Sequence, residues 1–195
     1  MRIFFVFLLL SFSNLVQGQE LVYAVSVNGH PCGTSTVTKT STADNQYRID
    51  LNMKLDIDLF IKVHMRFEGF AEYQEGGLKR SEARMYNNEH LHSTTITEHG
   101  EAGYRIVKNK KNLVAIEEKI RYSGYDLYFQ YPKDLDALYS LSAGKMQRIE
   151  KVDAKELKVI DAAGNHSLYK YNDTGEVEYV KIHHHVYDIE FKLNP

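Results

Sequence analysis

The sequence has one cysteine, three prolines and no tryptophan. A single cysteine allows no internal disulfide, so the core alone must hold the fold together. Charge of one sign is not in excess: the formal net charge is −2 and the isoelectric point about 6.5. That balance gives no basic footprint for nucleic acid and no strong overall pull toward an anionic membrane. No serine/glycine tract, interdomain linker or solenoid-length repeat is present. Beyond the first residues no apolar run approaches the ~20 that a spanning helix needs. The nucleophile elbow, the His-Glu-x-x-His pair, the phosphate-binding loop and the dinucleotide glycine fingerprint are all missing, which removes the enzyme classes they mark.

What is present begins with a leader. Arg2 supplies a positive charge, Ile3 to Leu10 is an unbroken apolar run, and Val16-Gln17-Gly18 offers tolerated residues for a cleavage site. This is the pattern of a secretory signal. As a helix, Ile3 to Val16 would span only about 21 Å against a hydrocarbon core of ~30 Å, too short for a permanent anchor. The expectation is a signal peptide over residues 1–18, cut after Gly18, and one β-rich domain over 19–195 in the periplasm or outside the cell.

Period two runs through that domain. From Tyr47 to Leu59, seven apolar side chains alternate with six polar ones. A strand sends successive side chains to opposite faces, so one face packs and the other meets water. Full burial of those seven would contribute on the order of 10–20 kcal/mol before entropy is charged against it. Leu21 to Val27, Val63 to Phe67, Lys79 to Tyr86, Leu91 to Thr97, Tyr104 to Lys108, Leu113 to Ile120, Leu157 to Ile160, Leu168 to Tyr171, Val177 to Ile182 and Val186 to Leu193 continue the pattern. Asn28-Gly29, Gly76-Gly77, Asn87-Asn88 and other turn clusters separate them. Gly69 reads as a bulge, and the change of parity around His183-His184-His185 as a bulge or turn. The sum is an all-β, antiparallel meander of about eleven strands, coiled by its twist into a strongly curved sheet, barrel or half-barrel.

One stretch breaks the alternation. Ser123 to Asp126 opens with a capping pattern, Leu127, Tyr128 and Tyr131 follow at helical spacing, and Pro132 stops them. A single short helix is expected near 123–131, plugging one end of the sheet. Tyr125, Tyr128 and Tyr131 read first as packing residues, and as the residues a bound molecule would meet.

The order of these pieces carries a resemblance. A leader precedes Leu21-Val22-Tyr23-Ala24-Val25 and the Asn28-Gly29 turn. Gly33 to Thr38 and the long strand to Phe60 follow, then His92 to Ile96, then Lys119 to Ser123 leading into Leu127 to Pro132, and finally Ile189 to Leu193. Over essentially the whole mature chain this resembles an uncharacterised family of exported gram-negative bacterial β-proteins, known as a domain of unknown function. The resemblance implies a β-fold in the periplasm or cell envelope and no assigned chemistry, so it transfers no catalytic residue and no cofactor.

Histidine is the one enriched candidate for chemistry, with nine copies. His90 and His92, and His183 and His185, sit two apart on predicted strands, so each pair shares a face. They would supply imidazoles to zinc or copper if the two strands were neighbours. Asp50, Asp56 and Asp58 share the polar face of their strand and read as solvated surface. Cys32 reads as a buried, inert thiol. Asn165-His166-Ser167 and Asn172-Asp173-Thr174 match the glycosylation pattern, which matters only in a eukaryotic host. The leading expectation is a protein that holds a hydrophobic or lipid-like molecule in its curved sheet. The alternatives are a structural or interaction module with a filled interior, and a histidine-dependent metal protein or hydrolase.

Overall fold

The computed structural model describes residues 17–43, 45–58, 62–183 and 187–194. The apolar leader, Leu59 and His185 lie outside them. Fourteen strands follow in order: β1 Gln17–Val27, β2 His30–Ala43, β3 Gln46–Asp58, β4 Lys62–Gln74, β5 Gly77–Asn87, β6 His90–Gly100, β7 Gly103–Lys108, β8 Lys111–Asn112, β9 Ala137–Ser140, β10 Lys145–Lys151, β11 Glu156–Ile160, β12 His166–Tyr171, β13 Val177–His183 and β14 Asp188–Leu193. All belong to one antiparallel sheet. Each strand pairs with its sequence neighbours except that β8 and β9 do not pair, and one further pairing joins the two ends of the described chain: β1 lies beside β14, with Tyr23 opposite Leu193. The free edges are β8 and β9, which share no ladder, so the curved sheet is not closed.

The alternation expected from sequence governs the long strands. On β3, Ile49, Leu51 and Leu55 are buried, while Asn52 and Lys54 between them face water. Register then carries the same parity to the neighbours: Val37 stands opposite Leu51 and Ala71 opposite Ile49, both buried. Four two-residue loops have both residues at positive φ: Asn28-Gly29, Glu75-Gly76, Asn88-Glu89 and Asn109-Lys110. This geometry matches the right-handed twist of the strands it joins. Two of these turns sit one residue away from the expected Gly76-Gly77 and Asn87-Asn88.

The strand count of about eleven is corrected to fourteen, and the reasons are local. In β9, the adjacent Leu138 and Tyr139 are both buried, so period two disappears. β10 is mostly charged and buries only Ile149. The expected strand Leu113–Ile120 is not one. Its inward residues, Leu113, Ile116 and Ile120, are three and four apart, and Val114 is exposed. That segment keeps only an isolated bridge from Ile116 to Tyr104 and backbone bonds from Leu113 to Ile106 and from Leu78 to Ile120. The short helix contracts to one 3-10 turn, Asp126–Tyr128. Gly69 forms no bulge either; it stands in regular register between Leu51 and Ala83.

The segment after β8 runs back across one end of the curved sheet and returns as β9. Ser123 bridges Tyr139 in parallel, and the Thr97 and Tyr139 hydroxyls meet at 2.6 Å. These contacts tie the free edge β9 to the crossing segment and to β6 through side chains and single bonds instead of a ladder. The outer face of β3–β5 is laced with charge. Arg48 pairs with Asp50 and Glu72, Arg66 with Glu68, and Arg84 with Glu82. The guanidinium of Arg48 lies 4.0 Å from the Phe70 ring centre, and that of Arg66 3.8 Å from Tyr86. A membrane-spanning barrel needs an apolar band there.

Candidate ligand cavity

The 3-10 turn is held by a carboxylate. Asp126 is buried and accepts bonds from the Tyr47 hydroxyl at 2.8 Å, the Tyr73 hydroxyl, and the Ser123 backbone N–H and hydroxyl at 2.8 and 2.9 Å. Burial pushes its carboxyl above the usual range, and those donors pull it back. The donors come from β3, β4 and the turn itself, so one side chain fixes the plug to the closed end of the cup. Tyr47 and Tyr73 stack at 4.5 Å beneath it.

The turn then presents its other side chains to the interior. Tyr125 reaches Gly69: a Cβ built on that glycine would lie 2.1 Å from the phenol oxygen. The missing side chain in the wall is the notch that receives the ring. Tyr128 packs edge-on against Tyr23 at 5.4 Å and Tyr169 at 6.4 Å. Burial lifts the Tyr169 hydroxyl to about 12, and Tyr23 donates to the Val177 carbonyl at 2.8 Å.

Above this floor lies a cavity of about 250 Å³. Tyr125, Leu127 and Tyr128 form its base, and Met53, Phe67 and Phe191 are among its walls. A second space of about 370 Å³ shares Phe67, Ser140, Ser142 and Gln147 with it and adds Lys108 and Asp161. The two spaces adjoin along those shared residues, the first mostly apolar in its lining and the second carrying the charged groups, on the side away from the Asp126 plug. The Lys108 ammonium and the Thr95 hydroxyl both donate to the Ser142 carbonyl at 2.9 Å, so the turn between β9 and β10 is strapped over the edge of β6 and β7. Ligand pockets have this character: mostly apolar walls and a few polar groups at one end.

The sequence candidates divide. Tyr125 and Tyr128 line the chamber. Tyr131 does not: it packs edge-on against Tyr171 at 5.0 Å and donates to the Asp153 carbonyl. His90 and His92 are on β6 and His183 is on β13, with six strands between, so His183 does not meet them; His185 lies outside the described residues. The partner of His183 is His166, 4.6 Å away between ring centres, and its Nδ1 is 2.9 Å from Asp188. Among the described residues no group of three histidine, cysteine or acidic side chains is arranged to hold a metal ion. Asp50 and Asp56 lie on the outer face, paired with Arg48 and His64, and Asp58 pairs with Lys62 at 3.5 Å. Cys32 is half-buried, a correction to full burial; its thiol donates to the Val25 carbonyl and is pushed up, first by burial and then by Asp56. The capping pattern read at Ser123–Asp126 places Asp126 correctly, since it accepts the Ser123 backbone N–H, but not its bonds to Tyr47 and Tyr73. Lys108, Ser142 and Gln147 left no signal in the sequence.

Comparison with known proteins bears on the fold. A family model described as a domain of unknown function, DUF6134, matches residues 23–194. No curated protein matches the sequence. Among solved structures, the crystal structure of a beta-barrel-like protein of the domain of unknown function DUF1849 from Brucella abortus superposes with a TM-score of 0.60. The alignment covers 92% of this chain and 96% of that one at 10% identity, a likeness of fold alone.

Proposed function

Because the chain belongs to the DUF6134 family of domains of unknown function, whose description names no activity, we propose its function from the cavity: it is a binding protein for a hydrophobic or lipid-like small molecule, exported by its leader to the periplasm or cell surface. The observation that carries this reading is the 250 Å³ apolar chamber, floored by Tyr125, Leu127 and Tyr128 and opening onto Lys108 and Asp161. Its lining is mostly apolar with a few polar groups at one end, the character of small-molecule sites. The polar mouth suits an amphiphile, with its chain in the chamber and its head among Lys108, Ser142 and Gln147.

Purified protein, extracted with organic solvent and read by mass spectrometry, is expected to release a stoichiometric lipophile. Delipidated protein is expected to melt several degrees higher with saturating medium-chain fatty acid, since ligand bound only to the native state stabilises it. Met53→Trp, which fills the chamber from β3, should abolish that shift while the protein still folds. An empty extract together with an unchanged melting temperature would overturn the reading.

A further inference from the structure

The chamber and the space beside it hold few charges, and each of those is already engaged. No charged side chain lines the chamber itself. The adjoining space adds one cation, Lys108, and one anion, Asp161, so the two cancel. The Lys108 ammonium and the Thr95 hydroxyl both donate to the Ser142 carbonyl, each at 2.9 Å. Asp161 folds its carboxylate into its own turn. One oxygen accepts the Ala163 and Asn165 backbone N–H groups at 2.8 and 2.9 Å, and the other accepts the Asn165 side-chain amide at 2.9 Å. Those donors, the Asn165 amide first, hold the carboxyl below its usual range. Both charges therefore fasten turns of the protein, β9–β10 and β11–β12.

Three neutral groups on the same lining have no such duty. The Ser93 and Ser142 hydroxyls and the Gln147 side-chain amide make no hydrogen bond to another protein group among the described residues. Ser142 and Gln147 line both spaces. A hydroxyl both donates and accepts, and a carboxamide offers two donors and an acceptor. At the floor, by contrast, the Tyr125 hydroxyl is seated against Gly69 in the wall with Leu127 beside it in the lining, which suits an apolar chain end. A charged head fits this arrangement poorly. A carboxylate meets Lys108 but also Asp161, and an ammonium meets the reverse. Either would leave water for a largely apolar lining, which costs free energy unless a free partner is waiting. A zwitterionic head finds a partner of each sign only by drawing both from the turns they hold. An uncharged head gives up less hydration and finds donors and acceptors in place.

We propose that the ligand is an uncharged single-chain amphiphile with a hydroxylated or amide head, of the monoacylglycerol or fatty-alcohol kind, and that Ser93, Ser142 and Gln147 select it over a fatty acid. The proposal rests on the cavity reading and narrows it: a fatty acid enters at saturation, and a neutral head enters more tightly.

The test is isothermal titration of the delipidated protein at neutral pH with four molecules that share one chain length: monodecanoylglycerol, decanoate, decylammonium and decylphosphocholine. Monodecanoylglycerol is expected to bind at least about tenfold more tightly than each of the other three. Gln147→Leu should weaken monodecanoylglycerol about tenfold and leave decanoate within about twofold, because only the neutral head uses that amide. Lys108→Met should also leave decanoate within about twofold, because the ammonium serves the turn and not the ligand. A charged or zwitterionic molecule that binds as tightly as monodecanoylglycerol, a Gln147→Leu variant that keeps the full preference, or a tenfold loss of decanoate in Lys108→Met would overturn the proposal while the cavity reading stands. Failure of all four to bind would remove that reading, and the proposal with it.

Discussion

Asp126 is buried and accepts four hydrogen bonds, and no cation is among their donors. Removing it takes the acceptor from two phenols, a backbone N–H and the Ser123 hydroxyl. Each orphaned group costs about 1–3 kcal/mol, so Asp126→Ala is expected to lose roughly 3 kcal/mol in urea denaturation. The pH dependence has a definite sign. The folded carboxyl holds its proton more tightly than the unfolded one, because desolvation outweighs its donors. Its contribution is therefore full below the ordinary carboxyl range of about 4 and is lost as pH rises through the raised value. The stability gap between the natural protein and Asp126→Asn should be widest near pH 4 and narrow toward neutrality. A gap constant with pH would show that the proton on Asp126 is not linked to folding.

The plug and β4 meet through an absence, the side chain that Gly69 lacks. A Cβ there would lie 2.1 Å from the Tyr125 oxygen and 3.0 Å from the Glu82 carbonyl. Gly69→Ala should therefore expel the ring, cost about 2 kcal/mol and reduce ligand binding. Tyr125→Phe removes the clashing atom, and its hydroxyl has no hydrogen-bond partner among the described residues. The double variant should then be more stable than the two single losses add up to, in a double-mutant cycle. Additive losses would mean that the notch and the ring are independent. Elements of this kind were only partly legible in the sequence. The long strands announced themselves, because Tyr47 to Ile57 alternate without a break. Ser123 and Pro132 marked the plug. β9 and β10 did not show: one buries adjacent residues and the other carries mostly charge. The role of Asp126 was hidden because its donors, Tyr47 and Tyr73, are 79 and 53 residues away in sequence. Lys108 and Ser142 were invisible as a pair for the same reason, since only the curvature of the sheet brings its free edges together.

Over the whole molecule, tyrosine does the work that a disulfide or tryptophan core does elsewhere. Tyr23, Tyr47, Tyr73, Tyr122, Tyr125, Tyr128 and Tyr171 are all held above their usual ionisation range, with burial the first cause in each. Burial likewise lifts Tyr139 and Tyr169 to about 12. The unfolded chain gives up these protons near pH 10, so native stability is complete below that value and falls above it. An alkaline titration followed at 295 nm should show a late, cooperative step that coincides with loss of the β-sheet circular-dichroism signal. Ionisation of every tyrosine near pH 10 with that signal intact would contradict the packing.

The pairing of β1 with β14 brings both ends of the described chain to one place. Asn194 donates its backbone N–H to Val22, and β1 and β14 both reach the plugged end at their chain termini. An affinity tag or fluorescent fusion placed after Asn194 would thus hang from the base of the vessel. Immobilised on a sensor chip through that handle, the molecule would stand upright with its opening toward the flowing solution.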